Sequence, residues 1–362
     1  MEKIKVGSER EIKFDRSLRE KRNEIKQTEG LDWDVSKYDV IEHEFETGKR
    51  SVYKNFNFSI FVDDYCNADC KFCVAQLRYQ HKNALYQKAH IEDRDKYLAR
   101  LEEVLKMVRP LNPSVSLTGG EPTLSPIFID ILRLVDKYDF RKRTITTNGS
   151  ALLKTVENDT IVNHLIQNGF NHLNISRASY DDKLNREIMR YNVEKEYCTD
   201  EMLREILSIT NKSAMSHRLS CILLKESVNS VEEMKKYLDF YSTLGANNFI
   251  FRELMDYDKT AINTEKMTYC DQNKIKLYDI WHQFDDYPEF KPYLNLLGYY
   301  YYVEIYKYKG MTVASESADL NIQYREKEKH PEMVYEMVFH NNGNLCGSRI
   351  DHEDILSAYK GD

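Results

Sequence analysis

Residues 66–73 read CNADCKFC and place three thiols within eight residues. They follow Asn57–Val62, a short and largely apolar run that predicts a β-strand. A structural zinc site usually has a fourth Cys or His in register, and only His81 and His90 are near enough in sequence to complete one. Three thiolates are better suited to a [4Fe–4S] cluster, in which they hold three irons and leave the fourth open to a ligand. The stretch therefore predicts an iron–sulfur site at the end of a strand.

From residue 55 to residue 255, short apolar runs alternate with amphipathic segments of helical length. The predicted strands are Asn57–Val62, Ser114–Leu117, Arg143–Thr147, His172–Ile175, Leu219–Leu224 and Asn248–Arg252. The predicted helices lie near 93–108, 127–138, 158–168, 199–211 and 230–244. Such alternation predicts a parallel sheet covered by helices, and about six units are too few to close an eight-stranded barrel. We therefore expect an α/β fold built on an open, partial (β/α)6 barrel.

The two ends of the chain differ from this middle region. Residues 1–50 are polar and dense in charge, and 8–28 predict a surface helix. After residue 255 the alternation stops, and 271–297 predict a helical stretch interrupted by two prolines.

Two β-hairpins are predicted in the C-terminal third of the chain. Their strands and turns are Tyr299–Tyr308 and Met311–Ala314 around Lys309-Gly310, then Val334–His340 and Asn344–Cys346 around Asn341-Asn342-Gly343. We therefore expect an α+β cap there, which covers the site at the strand ends. The expected domains are an N-terminal charged extension (1–50), the barrel (51–255) and the C-terminal cap (256–362).

The composition, with 41% hydrophobic and 31% charged residues, is that of a globular protein. No apolar run approaches the roughly 20 residues that span a bilayer, and the charged N-terminus lacks the apolar segment of a secretory signal. The net charge of −7 argues against a long nucleic-acid groove. Seven cysteines are an odd number, which favours metal ligation or free thiols over a disulfide framework. These features predict a cytoplasmic protein with no membrane and no nucleic acid among its partners.

Further polar turns follow the next predicted strands. Ser116–Pro122 reads SLTGGEP, Thr146–Gly149 reads TTNG and Asn174–Arg177 reads NISR. Two adjacent glycines remove side chains where a ligand approaches the backbone closely, and Glu121 can accept a hydrogen bond from an ammonium group. Without the cysteines, an ordinary strand–helix turn would be the preferred interpretation. Because parallel strands build sites at their carboxyl ends, these turns and the cysteines are predicted to form one site.

The order of these motifs resembles that of the radical S-adenosylmethionine (SAM) superfamily over roughly residues 55–255. The signature of that superfamily, Cys-x3-Cys-x-aromatic-Cys after the first strand, is matched with Phe72 in the aromatic position. The resemblance implies that Cys66, Cys70 and Cys73 hold one [4Fe–4S] cluster, whose open iron is chelated by the amino and carboxylate groups of SAM. The SAM contacts that it implies are Phe72, Gly119, Gly120, Glu121, Asn148, Ser176 and Arg177.

The segment Phe249–Met255 resembles the end of the barrel in relatives of the molybdenum-cofactor cyclase type, and there Arg252 and Glu253 either face the site or form a solvated pair. Those relatives and the SPASM-type peptide-modifying enzymes carry extra cysteine clusters near the C-terminus, whereas here only Cys270 and Cys346 follow the barrel. We therefore expect a single cluster. The cysteines expected to lie outside it are Cys198, Cys221, Cys270 and Cys346.

The resemblance implies an enzyme that reductively cleaves SAM with an electron from a flavodoxin- or ferredoxin-type donor, and then abstracts a hydrogen atom from a substrate. Because peptide-handling and auxiliary-cluster modules are not visible in the sequence, the expected substrate is a small molecule: a sugar, nucleotide or amino-acid derivative. The alternatives are radical SAM modification of a ribosomal peptide, by epimerisation or cross-linking, and a non-catalytic iron–sulfur or zinc protein. Cys346, after the second hairpin turn, is a candidate hydrogen-atom donor to the substrate radical, with a buried structural cysteine as the alternative.

Overall fold

The computed structural model describes residues 10–28, 39–73, 90–193, 196–255 and 265–361. His81, one of the two histidines considered for a zinc site, lies outside these residues. The chain forms two compact units, each with its own strands and helices. The cysteine unit comprises 39–176, 190–217 and 332–362, and the hairpin unit comprises residues up to 38, 177–189 and 218–331.

The strands, in chain order, are β1 (Arg10–Lys13), β2 (Val40–Phe45), β3 (Gly48–Phe61), β4 (Ser114–Thr118), β5 (Lys142–Thr147), β6 (Thr155–Val156), β7 (Asp159–Thr160), β8 (His172–Ser176), β9 (Ser216–Ile222), β10 (Asn248–Arg252), β11 (Lys291–Leu297), β12 (Tyr301–Tyr308), β13 (Met311–Ala318), β14 (Met333–Phe339), β15 (Leu345–Cys346) and β16 (Ile355–Ser357). The helices are α1 (Ser17–Gln27), α2 (Arg94–Val108), α3 (Phe128–Asp136), α4 (Ile161–Gln167), α5 (Asp182–Met189), α6 (Asp200–Asn211), α7 (Val231–Thr243), α8 (Glu265–Asn273), α9 (Leu277–Gln283) and α10 (Leu320–Lys329).

The covering helices begin where the sequence supplies capping side chains. Asp93, Thr199 and Ser230 each accept a hydrogen bond from the backbone N–H three residues further on, which satisfies a donor that the first turn of a helix leaves unpaired. None of the helices in the described residues combines the length and the apolar content that a membrane span needs.

In the cysteine unit, the strands β3, β4, β5 and β8 lie side by side in that order and run parallel. β14 adds a further parallel strand to β3, β2 pairs antiparallel with the first half of β3, and β15 and β16 continue from β14 in antiparallel order. The carboxyl ends of β3, β4, β5 and β8 therefore share one edge of the sheet. The cysteine stretch and the motif turns begin at this edge, which is where parallel sheets build their sites.

In the hairpin unit, β9, β10 and β13 run parallel, and β12, β11 and β1 extend the sheet in antiparallel order. One face of this sheet carries a compact apolar cluster of Ile250, Leu296, Val303 and Ala314. On α9, the indole N–H of Trp281 donates a hydrogen bond to the Ser315 hydroxyl of β13 over 2.8 Å. The unit is therefore held by both apolar packing and buried polar contacts.

The strand–helix alternation predicted between residues 55 and 255 is confirmed. All six predicted strands and all five predicted helices are present, with ends that differ by a few residues except at the start of β3, which extends back to Gly48. Both predicted hairpins are confirmed as β12–β13 and β14–β15. At the first of them, Lys309 and Gly310 both have positive φ, as a two-residue hairpin turn requires.

The predicted surface helix over 8–28 is wrong in part. Residues 10–13 form β1, which pairs with β11, and only 17–27 are helical. This helix is not confined to the surface, because Arg19, Arg22 and Ile25 are buried.

The predicted helical stretch over 271–297 is also wrong in part, because 291–297 form β11. The carboxyl half of β11 is buried, and β11 pairs with strands on both sides. Pro292 is tolerated because the ladder between β11 and β12 is irregular between Pro292 and Leu294, where a strand can lack an N–H donor.

The compact units divide the chain at other positions than the predicted boundaries, which fall after residues 50 and 255. β13 pairs in parallel with β10, and β14 pairs in parallel with β3, so the C-terminal strands extend ladders that the barrel strands begin. The three-domain division, and the role of 256–362 as a cap, stay predictions.

A buried ion pair ties α1 to the antiparallel strands of the hairpin unit. Nε and Nη2 of Arg19 donate to the two carboxylate oxygens of Glu304, each over 3.0 Å, and neither side chain is more than 1% exposed. The hydroxyls of Tyr302 and Tyr306 donate to the same carboxylate. Burial alone would lower the pKa of Arg19, but its hydrogen bonds and attraction to Glu304 outweigh burial and raise it. The pair is thus fully hydrogen-bonded, as a buried charge must be.

Replacing Glu304 by Gln is expected to lower the free energy of unfolding by about 3–5 kcal/mol, because the buried Arg19 charge would lose its buried counterion and keep only the exposed carboxylate of Asp285. The measurement is equilibrium unfolding in urea. The matched control is Glu187→Gln, which removes an exposed pairing with Lys183 and should change stability by no more than about 0.5 kcal/mol. Equal effects of the two substitutions would contradict the role given to the Arg19–Glu304 pair.

Candidate cofactor site

The segment that leads into the cysteines runs alongside the double-glycine turn. The backbone N–H of Gly120 donates to the Asp63 carbonyl over 2.8 Å, and the N–H of Glu121 donates to the Tyr65 carbonyl over 2.7 Å. These two bonds continue the parallel ladder between β3 and β4 past its end. They fix the position of the residue immediately before Cys66.

The two glycines allow these backbone segments to approach closely. A Cβ atom on Gly119 would lie 2.3 Å from the Asp63 carbonyl oxygen, and one on Gly120 would lie 2.1 Å from the Tyr65 carbonyl oxygen. Gly119 also has a φ of +137°, which residues with a Cβ rarely adopt. The sequence predicts that a ligand approaches the glycines, whereas in the structure the chain itself occupies this space. Their contact with SAM stays a prediction.

The Glu121 carboxylate joins the double-glycine turn to the TTNG turn. It is 2% exposed and accepts hydrogen bonds from the Thr147 hydroxyl over 2.6 Å and from the Asn148 backbone N–H over 2.7 Å. It also accepts from the N–H and the hydroxyl of Thr123. Burial raises the pKa of Glu121, and these hydrogen bonds oppose that effect. Four donors occupy the carboxylate, so in this structure Glu121 holds two strand ends together.

A pair of buried amides connects the TTNG turn to the cysteine stretch. The Asn148 side chain donates to the side-chain oxygen of Asn67 over 2.8 Å, and the Asn67 amide donates to the Ser150 hydroxyl over 3.0 Å. Asn67 follows Cys66 directly and has no exposed surface. The sequence analysis singled out Asn148 but missed Asn67, whose position between two cysteines was its only signal.

Residues 190–192 hold the cysteine stretch from another side. The Asp69 N–H donates to the Arg190 carbonyl over 2.9 Å, and the Asn192 N–H donates to the Asn67 carbonyl over 2.9 Å. The Arg190 guanidinium donates to both the carbonyl and the carboxylate of Asp69. Sequence reasoning missed this contact, because no periodicity pairs a loop with a residue 121 positions later in the chain.

The three cysteines of the signature are all half-buried. Burial is the main reason that the pKa of Cys66 is raised to about 12, so in the cluster-free chain this thiol keeps its proton at neutral pH. Within the described residues, no three Cys, His, Asp or Glu side chains are gathered closely enough to hold a metal ion. Because a cysteine side chain turns about a single χ angle among three staggered positions, thiols in one short loop can be gathered by rotamer changes.

The remaining predicted site residues fall in both units. In the cysteine unit, Phe72 and Ser176 are half-buried, and Ser176 is the last residue of β8. Arg177 belongs to the hairpin unit, where it is buried and its N–H donates to the Ser220 carbonyl over 2.9 Å. The structure thus brings Gly119, Gly120, Glu121 and Asn148 into contact with the cysteine segment or with one another, and Arg177 belongs to a separate set of contacts.

The four cysteines expected to lie outside the cluster are all buried. Cys346 lies in β15 opposite Val338 and has no exposed surface. Its burial favours a structural role, and its action as a hydrogen-atom donor stays a prediction. Cys198 packs against the TTNG turn, where its sulfur would lie 3.1 Å from a Cβ atom on Gly149.

Comparison with known proteins identifies the superfamily. The family model of the radical SAM superfamily matches residues 60–238. A probable GTP 3′,8-cyclase of Saccharolobus islandicus is 29% identical over 201 residues, which cover 54% of this chain and 56% of that protein. A GTP 3′,8-cyclase of Synechocystis sp. is 26% identical over 170 residues, covering 46% and 45% of the two chains. The chain spans about half the length of the curated relatives that it matches.

Solved structures show the same fold. Streptococcus suis SuiB bound to S-adenosylmethionine superposes with a TM-score of 0.55 at 15% identity, over 96% of this chain and 69% of that chain. A second structure of SuiB gives a TM-score of 0.51 at 16% identity, over 82% and 60%. The α/β partial barrel with additional C-terminal strands is thereby confirmed. Residues 60–238 of the chain therefore form a radical SAM domain, and the cofactors of the radical SAM superfamily are a [4Fe–4S] cluster and SAM.

Replacing Gly120 by Val tests the backbone contact. The φ of Gly120 lies outside the left-handed region, so the substitution acts through the clash with the Tyr65 carbonyl and not through strain at Gly120 itself. We expect the displaced segment to expose Cys66, lower the pKa of its thiol, and speed its alkylation by iodoacetamide in the cluster-free chain by about tenfold or more. The rate is followed by peptide mass spectrometry.

The matched control is Gly48→Ala, in the same unit. Gly48 has a φ of +116°, and no atom lies within 4 Å of a Cβ atom added there. Alkylation of Cys66 should be unchanged in this variant. An unchanged rate in a folded Gly120→Val protein would show that the double glycine does not position the cysteine stretch.

Proposed function

We propose that this radical SAM enzyme binds a single [4Fe–4S] cluster through Cys66, Cys70 and Cys73 and cleaves SAM reductively at that cluster. The observation that carries the proposal is the attachment of the cysteine stretch to the carboxyl ends of the parallel strands, through the Gly119-Gly120 turn and the Asn67–Asn148 contact. The donor set fits the cluster, because three thiolates hold three irons and leave one open.

When bound, the cluster and SAM supply a one-electron cleavage that yields methionine and a 5′-deoxyadenosyl radical, which removes a hydrogen atom from the substrate. The chain would bind and orient the cofactors and the substrate, and it would exclude water from them. Cys66 must release its proton to hold iron, and its burial opposes this release by raising the pKa of the thiol. Ser176 and Asn148 at the strand ends, with Phe72 beside the last cysteine, are proposed to contact SAM. The electron is proposed to come from a flavodoxin- or ferredoxin-type donor.

Single replacements of Cys66, Cys70 or Cys73 by Ala are expected to abolish most cluster binding after reconstitution. Losing one thiolate leaves a second iron without a protein ligand and so destabilises the cluster. Iron and sulfide analysis with Mössbauer spectroscopy is the measurement. The control is Cys270→Ala, which removes a buried thiol of the hairpin unit and should keep full iron content. A [4Fe–4S] signal in the triple alanine variant would reveal a second cluster and contradict the proposal.

Replacing Glu121 by Gln is expected to weaken SAM binding by about 1.5–3 kcal/mol, the range for a hydrogen bond to a charged group, while cluster assembly survives. We expect the ammonium group of SAM to donate a hydrogen bond to the same carboxylate that joins the two turns. The control is Thr123→Val, which removes one donor to Glu121 but keeps its charge, and should lower stability without changing SAM affinity. Unchanged SAM affinity in Glu121→Gln would leave Glu121 with a structural role only.

For the substrate, we propose a small molecule, such as a sugar, nucleotide or amino-acid derivative. The similarity to proteins named GTP 3′,8-cyclase supports this class, as does the scarcity of cysteines after the barrel. Modification of a ribosomal peptide, by epimerisation or cross-linking, is the alternative. Deuterated candidates of both kinds are incubated with SAM and a reductant. Deuterium in 5′-deoxyadenosine from the small molecules supports the proposal, and deuterium from peptides alone would favour the alternative.

A further inference from the structure

The hairpin unit contains a cavity of about 360 Å³ that the proposed SAM chemistry does not use. It lies among the carboxyl half of α1, the residue after β10 and the start of α9. This volume is within the range of about 300–1,000 Å³ that small-molecule sites occupy. The cavity is therefore large enough for a ligand.

The described walls of the cavity are positively charged. Arg22, Lys26, Lys274 and Lys276 line it, and Glu253 is the one carboxylate among the described lining residues. Four cations and one anion give a formal excess of three positive charges. The protein as a whole carries a net charge of −7, so this concentration of positive charge is a local property of the cavity.

Glu253, the acidic side chain of the described walls, is already hydrogen-bonded within the protein. Glu253 is 5% exposed, and its carboxylate accepts hydrogen bonds from Lys26 over 2.8 Å and from the Ser317 hydroxyl over 2.6 Å. Its charge is thus balanced by Lys26. The other cations of the described walls are Arg22, Lys274 and Lys276.

Arg22 is fixed in orientation before any ligand arrives. It has no exposed surface, and its Nη2 donates to the carbonyl oxygens of Tyr300 and Ser317, each over 3.0 Å. A guanidinium held in this way loses little conformational freedom when an anion binds, and its planar fork suits phosphate and carboxylate oxygens. Such preorganisation is typical of anion sites.

The same cavity offers an apolar wall. Trp281 and Tyr278 of α9 line it, and the indole of Trp281 is held by its hydrogen bond to Ser315. Pockets that bind small molecules combine aromatic surface with a few placed polar groups in this way. A ring or an aliphatic chain can pack against these side chains while a charged group faces the cations.

We infer that this cavity binds a small organic anion, with a phosphate or carboxylate group facing Arg22, Lys274 and Lys276 and a ring or aliphatic part against Trp281 and Tyr278. All the described residues that line the cavity belong to the hairpin unit. The inference goes beyond SAM cleavage and does not depend on it, so either can fail without the other.

The test is isothermal titration of the reconstituted full chain with three probes of similar size: phenyl phosphate, benzoate and the uncharged benzyl alcohol. Saturable binding of at least one anion is expected, weaker at higher salt because the attraction is electrostatic. The double variant Lys274→Gln/Lys276→Gln should weaken it by about tenfold or more, since it removes two charged hydrogen-bond donors to the anion.

The matched control is the double variant Lys236→Gln/Lys291→Gln. It removes the same charge from the same unit at exposed residues that do not line the cavity, and it should leave the affinity unchanged. Circular dichroism checks that both double variants are folded. If Lys274→Gln/Lys276→Gln unfolds, the single variant Lys276→Gln, at an exposed residue, is used and should weaken binding severalfold.

Binding of only one of the two anions would support the inference and identify the anionic group. Three outcomes would overturn it. These are no saturable binding of either anion at millimolar concentration, equal binding of benzyl alcohol, and equal loss of affinity in the cavity variant and in the control.

Discussion

The arrangement of the site depends on one close approach between two backbone segments. The turn after β4 lies against the residues that follow β3. The two segments are so close that a Cβ atom on Gly119 or Gly120 would clash with the backbone opposite. Because both segments leave adjacent parallel strands, the sheet holds their starting points rigidly. The hydrogen bonds at Asp63 and Tyr65 then carry this rigidity into the cysteine stretch.

Buried polar contacts extend this constraint from one strand end to the next. Glu121 connects the turn after β4 to the end of β5, and the Asn148–Asn67 contact connects the end of β5 to the cysteine stretch. Hydrogen bonds in a buried network are costly to break singly, because each leaves a polar group without a partner. The same residues that the superfamily resemblance assigns to SAM therefore also organise the loop. The loop that we propose as the cluster site is therefore held by the chain before a cofactor binds, which would reduce the ordering cost of binding.

Much of this architecture could be predicted from the sequence, because it follows from local patterns. The strand–helix alternation gives the barrel strands, and the cysteine spacing locates the site at the end of the first. The missed features depend on contacts between distant residues. Arg19 is polar by every local measure and is nevertheless buried, because Glu304, 285 residues later, supplies its counterion. Residues 291–297 form a strand and not the predicted helix, because their stability comes from β1 and β12 and not from their own periodicity. Asn67 and Arg190 were missed for the same reason, since their partners lie 81 and 121 residues away.

The central claim is that the cysteine stretch holds the cluster at which SAM is cleaved. The most direct measurement is the amount of 5′-deoxyadenosine released when the anaerobically reconstituted chain is given SAM and dithionite. The account predicts release by the unmodified chain and none above background by the Cys70→Ala variant. Equal release by both proteins, or no release by an unmodified chain with a full complement of iron and sulfide, would contradict it.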